Sequence, residues 1–344
     1  MPKVSVCIPS YNHEKYVRAA IESVLEQSFQ DFEILVTDDG STDRTVEELR
    51  AIQDKRLSLE VLPQNRGACI ALNASIKRGT SEFVAVLNSD DIFLPGKLER
   101  QVRFLESRPD AGAVFGYPAF MDESGSPLRE DQTFYRDTFK VENRTQGQWL
   151  RQFFLRGNVL CHPTILIRRR CYDEVGYYDP SLAQLPDLDM WVRLVQRYSI
   201  HILPEPLVGF RILSDNRNAS APRQEVIVRL NWEWRRILEH YAALDRRLLV
   251  EAFPELAPRL EGAHDEGALL ARRPRPALWC LAERALHVGR SPHICFAFDA
   301  MYRVLMNSST LNDYPECYRE FINYTGSFDP FGLATDLSPI RRLR

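Results

Sequence analysis

Short apolar segments alternate with amphipathic segments over the first 110 residues. The apolar segments end in turn-forming residues, which is typical of strands, and they cover residues 4–8, 32–36, 57–62 and 83–87. In the stretches that follow them, apolar residues recur three or four positions apart, which indicates helices. The predicted helices include residues 13–27, residues 67–78 and a segment around Leu98. This alternation predicts a mostly parallel sheet with helices on both faces.

Beyond residue 110 the pattern is less regular. Residues 113–117 and 159–167 are apolar enough for strands, and residues 187–197 have the spacing of a helix. After about residue 223 helical spacing dominates and is interrupted by prolines, which end helices. We therefore expect an α/β domain over residues 1–220 and a helical extension over residues 221–344.

The composition is that of a globular protein. Of the 344 residues, 44% are hydrophobic and 26% are charged, which excludes a wholly disordered chain. The formal net charge of −3 argues against a nucleic-acid partner bound through bulk positive charge. No apolar stretch approaches the ~18–20 residues needed to span a bilayer, so we expect a cytoplasmic protein.

Several classes of chemistry lack their usual residue patterns in this chain. The seven cysteines are scattered without Cys-x-x-Cys spacing, so we expect reduced thiols rather than disulfides or a zinc site. The histidines also lack metal-ligand spacing. The Gly-x-Ser-x-Gly, P-loop and Gly-x-Gly-x-x-Gly motifs are absent, which argues against serine hydrolases, P-loop kinases and standard dinucleotide oxidoreductases.

Polar loops follow each of the first four predicted strands. They cover residues 9–12, 38–41, 63–67 and 88–91. In open sheets of this kind, ligands bind beyond the carboxyl ends of the strands. We therefore expect these loops to form one binding site at a single edge of the sheet.

The loop at residues 38–41 has the sequence Asp-Asp-Gly-Ser. A carboxylate in this position can accept hydrogen bonds from a ribose hydroxyl or an imide N–H, and glycine allows close approach of the backbone. The same residue types also favour a turn followed by a helix cap. The loop alone does not distinguish the two interpretations.

The loop at residues 88–91 has the sequence Asn-Ser-Asp-Asp. Adjacent carboxylates after a buried strand repel each other, and Mg²⁺ or Mn²⁺ would offset that repulsion while bridging to a diphosphate. The alternative is a solvated turn in which Asp91 caps the next helix. Because the loop shares a sheet edge with Asp39, we favour metal and diphosphate binding.

Two acidic residues open the helix predicted from residue 187. Asp187 and Asp189 would both be stabilised as anions by the helix dipole, which is common for first-turn carboxylates. The functional alternative is a general base that takes the proton of an acceptor hydroxyl.

Five segments of the chain together resemble the family 2 glycosyltransferases of the GT-A fold. They occur in the family's order, at residues 4–12, 22–29, 38–43, 65–67 and 88–91, within a resemblance that covers about residues 3–215. The resemblance implies a GT-A-like sheet and an inverting transferase that uses a nucleotide-diphospho sugar, most often a UDP-sugar, with Mn²⁺ or Mg²⁺. Surface polysaccharide or glycoconjugate synthesis of the bacterial type is the expected setting.

The resemblance also assigns roles to individual residues. It places nucleotide-sugar contacts at Pro9, Tyr11, Asn12, Asp39, Arg66, Asn88, Asp90 and Arg211. It places the metal at Asp90 and Asp91. It assigns the catalytic base to Asp187, with Asp189 as the competing candidate.

Two positions depart from the family pattern. Asn88 stands where the family's Asp-x-Asp motif has its first aspartate, which lowers the charge of the site. The family's Arg-x-His motif has no histidine here, since residues 211–213 are Arg-Ile-Leu. Asp215 and Asn216 are the candidates to replace that histidine.

The acceptor and the partners are less defined by the sequence. We expect a saccharide or lipid-linked acceptor held by residues 113–185 and the helical tail, with His162 in the wall of its site. The tail has two further alternatives, a homodimer contact or a peripheral membrane contact. A catalytically degenerate nucleotide-sugar sensor or scaffold is the alternative function that Asn88 and Leu213 motivate. A sugar-phosphate nucleotidyltransferase would need a glycine-rich, basic segment near the amino terminus, which this chain lacks.

Overall fold

The chain forms two compact units, residues Met1–Val226 and Ile227–Arg344. The structure is a computed structural model. It describes residues 1–133, 135, 138–214, 218, 223–261, 275–307 and 313–330.

The first unit is built around an eight-stranded mixed sheet in its described residues. The strands are β1 (Val4–Ser10), β2 (Phe32–Asp38), β3 (Leu57–Val61), β4 (Phe83–Val86), β5 (Ile92–Phe93), β6 (Ala111–Met121), β7 (Leu166–Arg168) and β8 (Ser199–Arg211). Their order in the sheet is β3-β2-β1-β4-β7-β6-β8-β5. The predicted α/β fold class, with a mostly parallel sheet and flanking helices, is confirmed.

Helices connect the strands of the first unit and cover the sheet. They are α1 (Val17–Leu25), α2 (Thr45–Arg50), α3 (Ala68–Arg78), α4 (Lys97–Ser107), α5 (Gln146–Arg156), α6 (Arg169–Val175) and α7 (Pro186–Val195). The apolar positions of α1 that suggested a helix, among them Ile21 and Val24, are fully buried. They join Val6, Ile8 and Ala85 in the core of the unit, where burial of each valine or isoleucine side chain contributes about 1.5–3 kcal/mol.

Strands β1 to β4 form the parallel half of the sheet. β1 lies between β2 and β4, and β3 pairs with β2. All four residues of β4 are buried, which explains why this strand is a continuous apolar run. β3, which pairs only with β2 among the described strands, alternates apolar and polar residues and is partly buried. The parallel arrangement brings the carboxyl ends of the four strands to the same edge.

The sheet beyond β4 differs from the sequence prediction. Residues 159–167 were expected to form a strand, but only Leu166–Arg168 is a strand, and His162–Thr164 forms a 3₁₀ turn. Pro163 has no N–H to donate to a sheet ladder, and the backbone N–H of Thr164 instead donates to the carbonyl oxygen of Cys161 at 3.1 Å.

The described part of the second unit is helical. Its helices are α8 (Gln224–Ile237), which begins before the unit boundary, α9 (Arg246–Ala252), α10 (Ala257–Glu261), α11 (Ala277–Leu286), α12 (Ser291–Leu305) and α13 (Pro315–Ser327). Trp279 in α11 and Phe296 and Met301 in α12 are fully buried. Among the described residues, no helix has both the length and the apolar character needed to cross a membrane. All seven cysteines lie in the described part of the chain and carry free thiols.

Candidate active site

The loops that follow β1, β2 and β4 meet at one edge of the sheet. Ser10 at the end of β1 pairs with Asp38 at the end of β2, and the N–H of Asp39 donates to the carbonyl oxygen of Ser10 at 2.8 Å. On the other side of β1, the N–H of Leu87 donates to the carbonyl oxygen of Cys7 at 3.1 Å. These loops border a cavity of about 500 Å³.

Most of the cavity lining comes from two groups of residues. The strand-end loops contribute Pro9, Ser10, Tyr11, His13, Asp39, Asn65, Asn88, Ser89, Asp90 and Asp91. The facing wall contributes Leu160, Cys161, His162, Pro163, Ala183, Gln184, Pro186 and Asp187. Asp39, Asp90 and Asp187, which are far apart in sequence, therefore line the same cavity.

The two aspartates after β2 have different surroundings. The carboxylate of Asp38 accepts hydrogen bonds from the N–H of Ser41 at 2.8 Å and its hydroxyl at 2.6 Å, which is the turn geometry that the sequence also allowed. The carboxylate of Asp39 accepts from the N–H groups of Arg66 and Gly67, both at 2.8 Å. Asp38 therefore closes the turn, while Asp39 borders the cavity and fixes the loop after β3.

The aspartates after β4 also differ. One carboxylate oxygen of Asp91 accepts from the N–H of Arg211 at 2.8 Å, and the other accepts from the side-chain amide of Asn88 at 2.9 Å. Burial and the neighbouring charge of Asp90 raise the pKa of Asp91 well above its usual value. The carboxylate of Asp90 lines the cavity and has no hydrogen bond or ion pair with any residue that the structure describes. Asp91 does not cap α4, which begins at Lys97.

The two acidic residues of α7 have different surroundings. Asp187 lines the cavity and accepts hydrogen bonds from the amide of Asn158 at 2.6 Å and from the N–H of Leu188 at 2.7 Å. Asp189 is buried and forms a two-point ion pair with Arg193, with N–O distances of 2.9 and 2.7 Å. The guanidinium of Arg193 also donates to the carbonyl oxygens of residues 175–177.

These features agree with comparisons to known proteins. The sequence model described as Glycosyl transferase family 2 matches residues 5–176, half of the chain. The chain belongs to glycosyl transferase family 2.

Relatives of this family 2 glycosyltransferase include two curated proteins. The putative teichuronic acid biosynthesis glycosyltransferase TuaG of Bacillus subtilis is 30% identical over 218 residues, which is 62% of this chain and 81% of TuaG. An uncharacterised glycosyltransferase of Methanocaldococcus jannaschii is 28% identical over 216 residues, which is 61% of this chain and 71% of that protein.

A similar fold is found in the crystal structure of S. aureus TarS 1-349 in complex with UDP-GlcNAc. The TM-score is 0.57 at 18% identity, with 95% of this chain and 92% of that chain covered. At this identity the similarity bears on the fold, and it supports the GT-A-like architecture.

Three of the predicted nucleotide-sugar contacts do not line the cavity. Asn12 accepts hydrogen bonds from the N–H and hydroxyl of Thr42 and so joins the loops after β1 and β2. The side chain of Arg66 is exposed, and its backbone holds Asp39. The guanidinium of Arg211 is buried and donates to the carbonyl oxygens of Asp90, Asp122 and Glu123.

The remaining predicted residues of this family 2 protein fall into two groups. Pro9, Tyr11, Asp39, Asn88, Asp90, Asp91 and Asp187 line the cavity, whereas Asp189 does not. Asp215 and Asn216, the candidates to replace the missing histidine, lie outside the described residues.

The sequence analysis missed part of the lining. His13 was assigned to a helix, but α1 begins at Val17, so His13 lies in the strand-end loop with Nδ1 at 2.7 Å from the hydroxyl of Ser89. Its position just after β1 was the available signal. The cavity also contacts an aromatic group formed by Tyr135, Phe139 and Phe210. The sequence gave no signal for this group, because Phe210 comes from β8, far along the chain from the other two residues.

Proposed function

We propose that this protein transfers a sugar from a nucleotide-diphospho sugar, with UDP as the nucleotide, to a hydroxyl acceptor with inversion at the anomeric carbon. The observation that carries the proposal is that Asp39, Asp90 and Asp187 line one cavity. The three carboxylates are suited to three parts of the reaction, namely the nucleoside, the diphosphate and the acceptor hydroxyl.

The nucleoside is proposed to bind at the ends of β1 to β3. Pro9 and Tyr11 would flank it, and Asp39 would accept a hydrogen bond from an imide N–H of the base. A carboxylate oxygen has two lone pairs, so each oxygen of Asp39 can accept a ligand bond in addition to the bond from Arg66 or Gly67. Asn65 contributes the loop after β3 to the same end of the cavity.

A divalent cation fits this site as a companion of the diphosphate. No cluster of three or more His, Cys, Asp or Glu side chains that could hold a metal occurs among the described residues. Mg²⁺ is commonly held by one or two carboxylates together with substrate phosphates. The carboxylate of Asp90, which has no partner in the part of the chain that the structure describes, meets that need. Asp91 already accepts two protein hydrogen bonds, so we place the metal contact at Asp90. When bound, the cation stabilises the charge of the departing diphosphate.

Asp187 is the proposed general base. It accepts the proton of the acceptor hydroxyl while the hydroxyl oxygen bonds to the anomeric carbon and the bond from that carbon to the diphosphate oxygen breaks. This single displacement inverts configuration and needs no covalent enzyme intermediate. The bonds from Asn158 and Leu188 hold the carboxylate in position.

The acceptor is proposed to be a saccharide, free or lipid-linked, in surface polysaccharide synthesis on the cytoplasmic side of the membrane. The name of TuaG, with its reference to teichuronic acid biosynthesis, supports this setting. Tyr135 and Phe139 lie in the range 113–185 that we expected to hold the acceptor, and both line the cavity. Their rings provide an apolar surface for the face of a sugar.

A thermal-shift screen of UDP-, GDP- and dTDP-sugars with Mn²⁺ tests the donor assignment. A donor at 100 times its dissociation constant is expected to stabilise the protein by about 2.7 kcal/mol if it binds only the folded state. Asp90→Asn should remove the part of this shift that depends on Mn²⁺, and Asp110→Asn is a matched control outside the cavity lining. If no nucleotide sugar shifts the transition, the proposed function is wrong.

A nucleotide-sugar sensor or scaffold without turnover is the second candidate. It is favoured by Asn88, which replaces an expected carboxylate with a neutral hydrogen-bond donor to Asp91. Release of nucleoside diphosphate from a bound donor, measured with and without Mn²⁺, separates the two functions. A sensor would bind the donor without releasing the diphosphate.

A further inference from the structure

We propose that His162 is a specificity-determining residue whose Nδ1–H donates a hydrogen bond to an oxygen of the sugar that is transferred. The proposal rests on the proposed function, because it assumes that a nucleotide sugar occupies the cavity. It is carried by a buried hydrogen-bond chain that fixes which ring nitrogen of His162 bears the proton.

The hydrogen-bond chain consists of His162, Tyr178 and Tyr172. Nε2 of His162 lies 2.9 Å from the hydroxyl of Tyr178, and that hydroxyl lies 3.3 Å from the hydroxyl of Tyr172. Both tyrosines are almost fully buried, with 2% and 1% of their surface exposed. Buried hydroxyl groups need partners, since an unpaired one costs about 1–3 kcal/mol.

Only one donor-to-acceptor direction along this hydrogen-bond chain gives every buried hydroxyl hydrogen an acceptor. If Tyr172 donates to Tyr178, and Tyr178 donates to Nε2 of His162, both hydroxyl hydrogens have an acceptor. In the opposite direction the hydroxyl hydrogen of Tyr172 has no acceptor among the described residues. The neutral imidazole therefore accepts at Nε2 and carries its proton at Nδ1.

The second ring nitrogen is available to a ligand. His162 lines the cavity, and its Nδ1 has no partner in the described part of the chain and is not among the atoms shut off from solvent. Burial lowers the pKa of His162 to about 4, so the ring is neutral near pH 7. A neutral donor suits a sugar oxygen, which carries no charge.

The position of His162 in the cavity points to the sugar. In the sheet, β4 lies between β1 and β7. The loop after β4, which carries Asp90, is therefore flanked on one side by the loops after β1 to β3, which form the nucleoside end, and on the other by residues 160–163 of the facing wall, which lead into β7. A nucleotide sugar that follows this order places its sugar against the facing wall, because the anomeric carbon must be close to Asp187.

Contacts with Asn73 and Trp191 hold this hydrogen-bond chain in place. The side-chain amide of Asn73 in α3 clamps the backbone of Tyr178, donating to its carbonyl oxygen at 2.7 Å and accepting from its N–H at 3.1 Å. The ring of His162 also packs against Trp191, with ring centroids 5.7 Å apart. These contacts hold the imidazole in one orientation before a ligand binds.

Two substitutions separate the role of Nδ1 from that of Nε2. In His162→Asn the side-chain amide occupies the place of Nδ1 and loses the bond to Tyr178. In His162→Gln the amide reaches the place of Nε2 and leaves the cavity without a donor. Calorimetric binding of the best donor from the screen and of its free nucleoside diphosphate, for instance UDP-GlcNAc and UDP, measures the contribution of the sugar.

We expect His162→Gln to weaken nucleotide-sugar binding about three- to tenfold, while binding of the nucleoside diphosphate stays within twofold. His162→Asn should keep nucleotide-sugar affinity within about twofold, although its melting temperature falls more than that of His162→Gln. If His162 had only a structural role, the loss of nucleotide-sugar affinity in each variant would follow the fall in its melting temperature. The proposal is overturned if His162→Gln binds both ligands as the wild type does, or if both variants lose affinity for the sugar equally. If the wild type binds no nucleotide sugar, the proposed function fails, and this inference fails with it.

Discussion

Asp187 and Asp189 lie two residues apart in the first turn of α7, yet the folded chain gives them different neighbours. Asp187 lines the cavity, whereas Asp189 is buried against Arg193. Through Arg193, Asp189 holds the backbone of residues 175–177, which precede Tyr178. A carboxylate occupied in this way stabilises the fold, so we assign proton transfer to Asp187.

Substitution of Asp189 is expected to cost stability rather than chemistry. Asp189→Asn removes the charge that balances the buried guanidinium of Arg193, although three backbone carbonyl groups still accept from it. We expect a loss of about 1–3 kcal/mol in the free energy of unfolding, measured by urea denaturation. Asp187→Asn is the matched control and should stay within ~1 kcal/mol of the wild type. Equal losses in the two variants would contradict this division of roles.

Lys97 predicts a pH dependence of stability. It is fully buried, with Nζ donating to the side-chain oxygen of Gln101 at 2.6 Å, and it has no ion pair within the described part of the chain. Burial lowers the pKa of Lys97 well below its usual value. Between that lowered pKa and ~10.4 the unfolded chain binds more protons than the folded one, so this contribution to stability rises with pH and is lost as pH falls.

The variant Lys97→Met isolates this effect. The free energy of unfolding of the wild type minus that of the variant should rise by up to ~1.4 kcal/mol per pH unit between pH 7 and pH 9. Denaturation curves at several pH values measure the difference. A difference that does not change with pH would mean that Lys97 is charged in the folded protein.

For individual residues, the sequence predicted which residue types line the site better than it predicted the contacts they make. Each of Asp39, Asp90 and Asp187 also fitted a turn or a helix start, and they were selected because of the shared sheet edge and the resemblance to the family. The partners of Asp91 could not be predicted, because they come from Asn88 and from Arg211, which is far away in the sequence. Whether a polar side chain faces the cavity or the backbone depends on such long-range contacts.

Among the elements that build the site, the turn after β2 is tightly constrained by its glycine. Gly40 has a φ of +73°, and a Cβ atom there would lie 2.7 Å from the carbonyl carbon of Gln64. The turn therefore packs directly against the backbone that leads to Asn65 in the cavity lining. The close approach is what requires glycine at this position.

Gly40→Ala is expected to destabilise the protein by more than the conformational cost alone. That cost is about 1–2 kcal/mol for a left-handed residue, and the clash with Gln64 adds to it. Gly289→Ala is the control, because Gly289 has the same φ of +73° and nothing lies within 4 Å of its added Cβ. Urea denaturation should show the larger loss for Gly40→Ala, and donor affinity should fall only in that variant. Equal losses would show that the packing against Gln64 is not tight.

Strands and helices could be predicted where their burial is simple. β4 is a continuous apolar run, and β1 and β2 are mostly apolar, because both faces of the sheet are covered there. β8 was missed because Pro204, Glu205 and Pro206 interrupt its pattern, and the structure accommodates them at register shifts in the pairing with β6. A bulge of this kind depends on the partner strand and its register, which cannot be predicted from the local sequence.

At the scale of the whole molecule, the described lining of the cavity belongs entirely to the first unit, Met1–Val226. The second unit has its own buried residues, such as Trp279 in α11. Its role as an acceptor, dimer or membrane contact stays a prediction, because helical spacing establishes that a segment packs without indicating what it binds.

Hydrogen exchange with and without the donor should show that the donor protects segments of the first unit. We expect donor binding to slow exchange in residues 9–13, 39–41, 64–67, 88–91 and 160–163, because a ligand in the cavity shields these segments and reduces their local opening. Exchange in α11 and α12 should be unchanged. Protection that is limited to the second unit would contradict the proposed donor site.

The central claim is that strand-end carboxylates and the first turn of α7 act together on one activated sugar. The most direct test is the rate at which Asp187→Asn releases nucleoside diphosphate from the donor, measured beside its dissociation constant for that donor. A positioned base contributes ~10²–10⁴-fold, so we predict a fall of that size in the rate, with donor affinity within about threefold of the wild type. A variant that retains near-normal turnover would contradict the account.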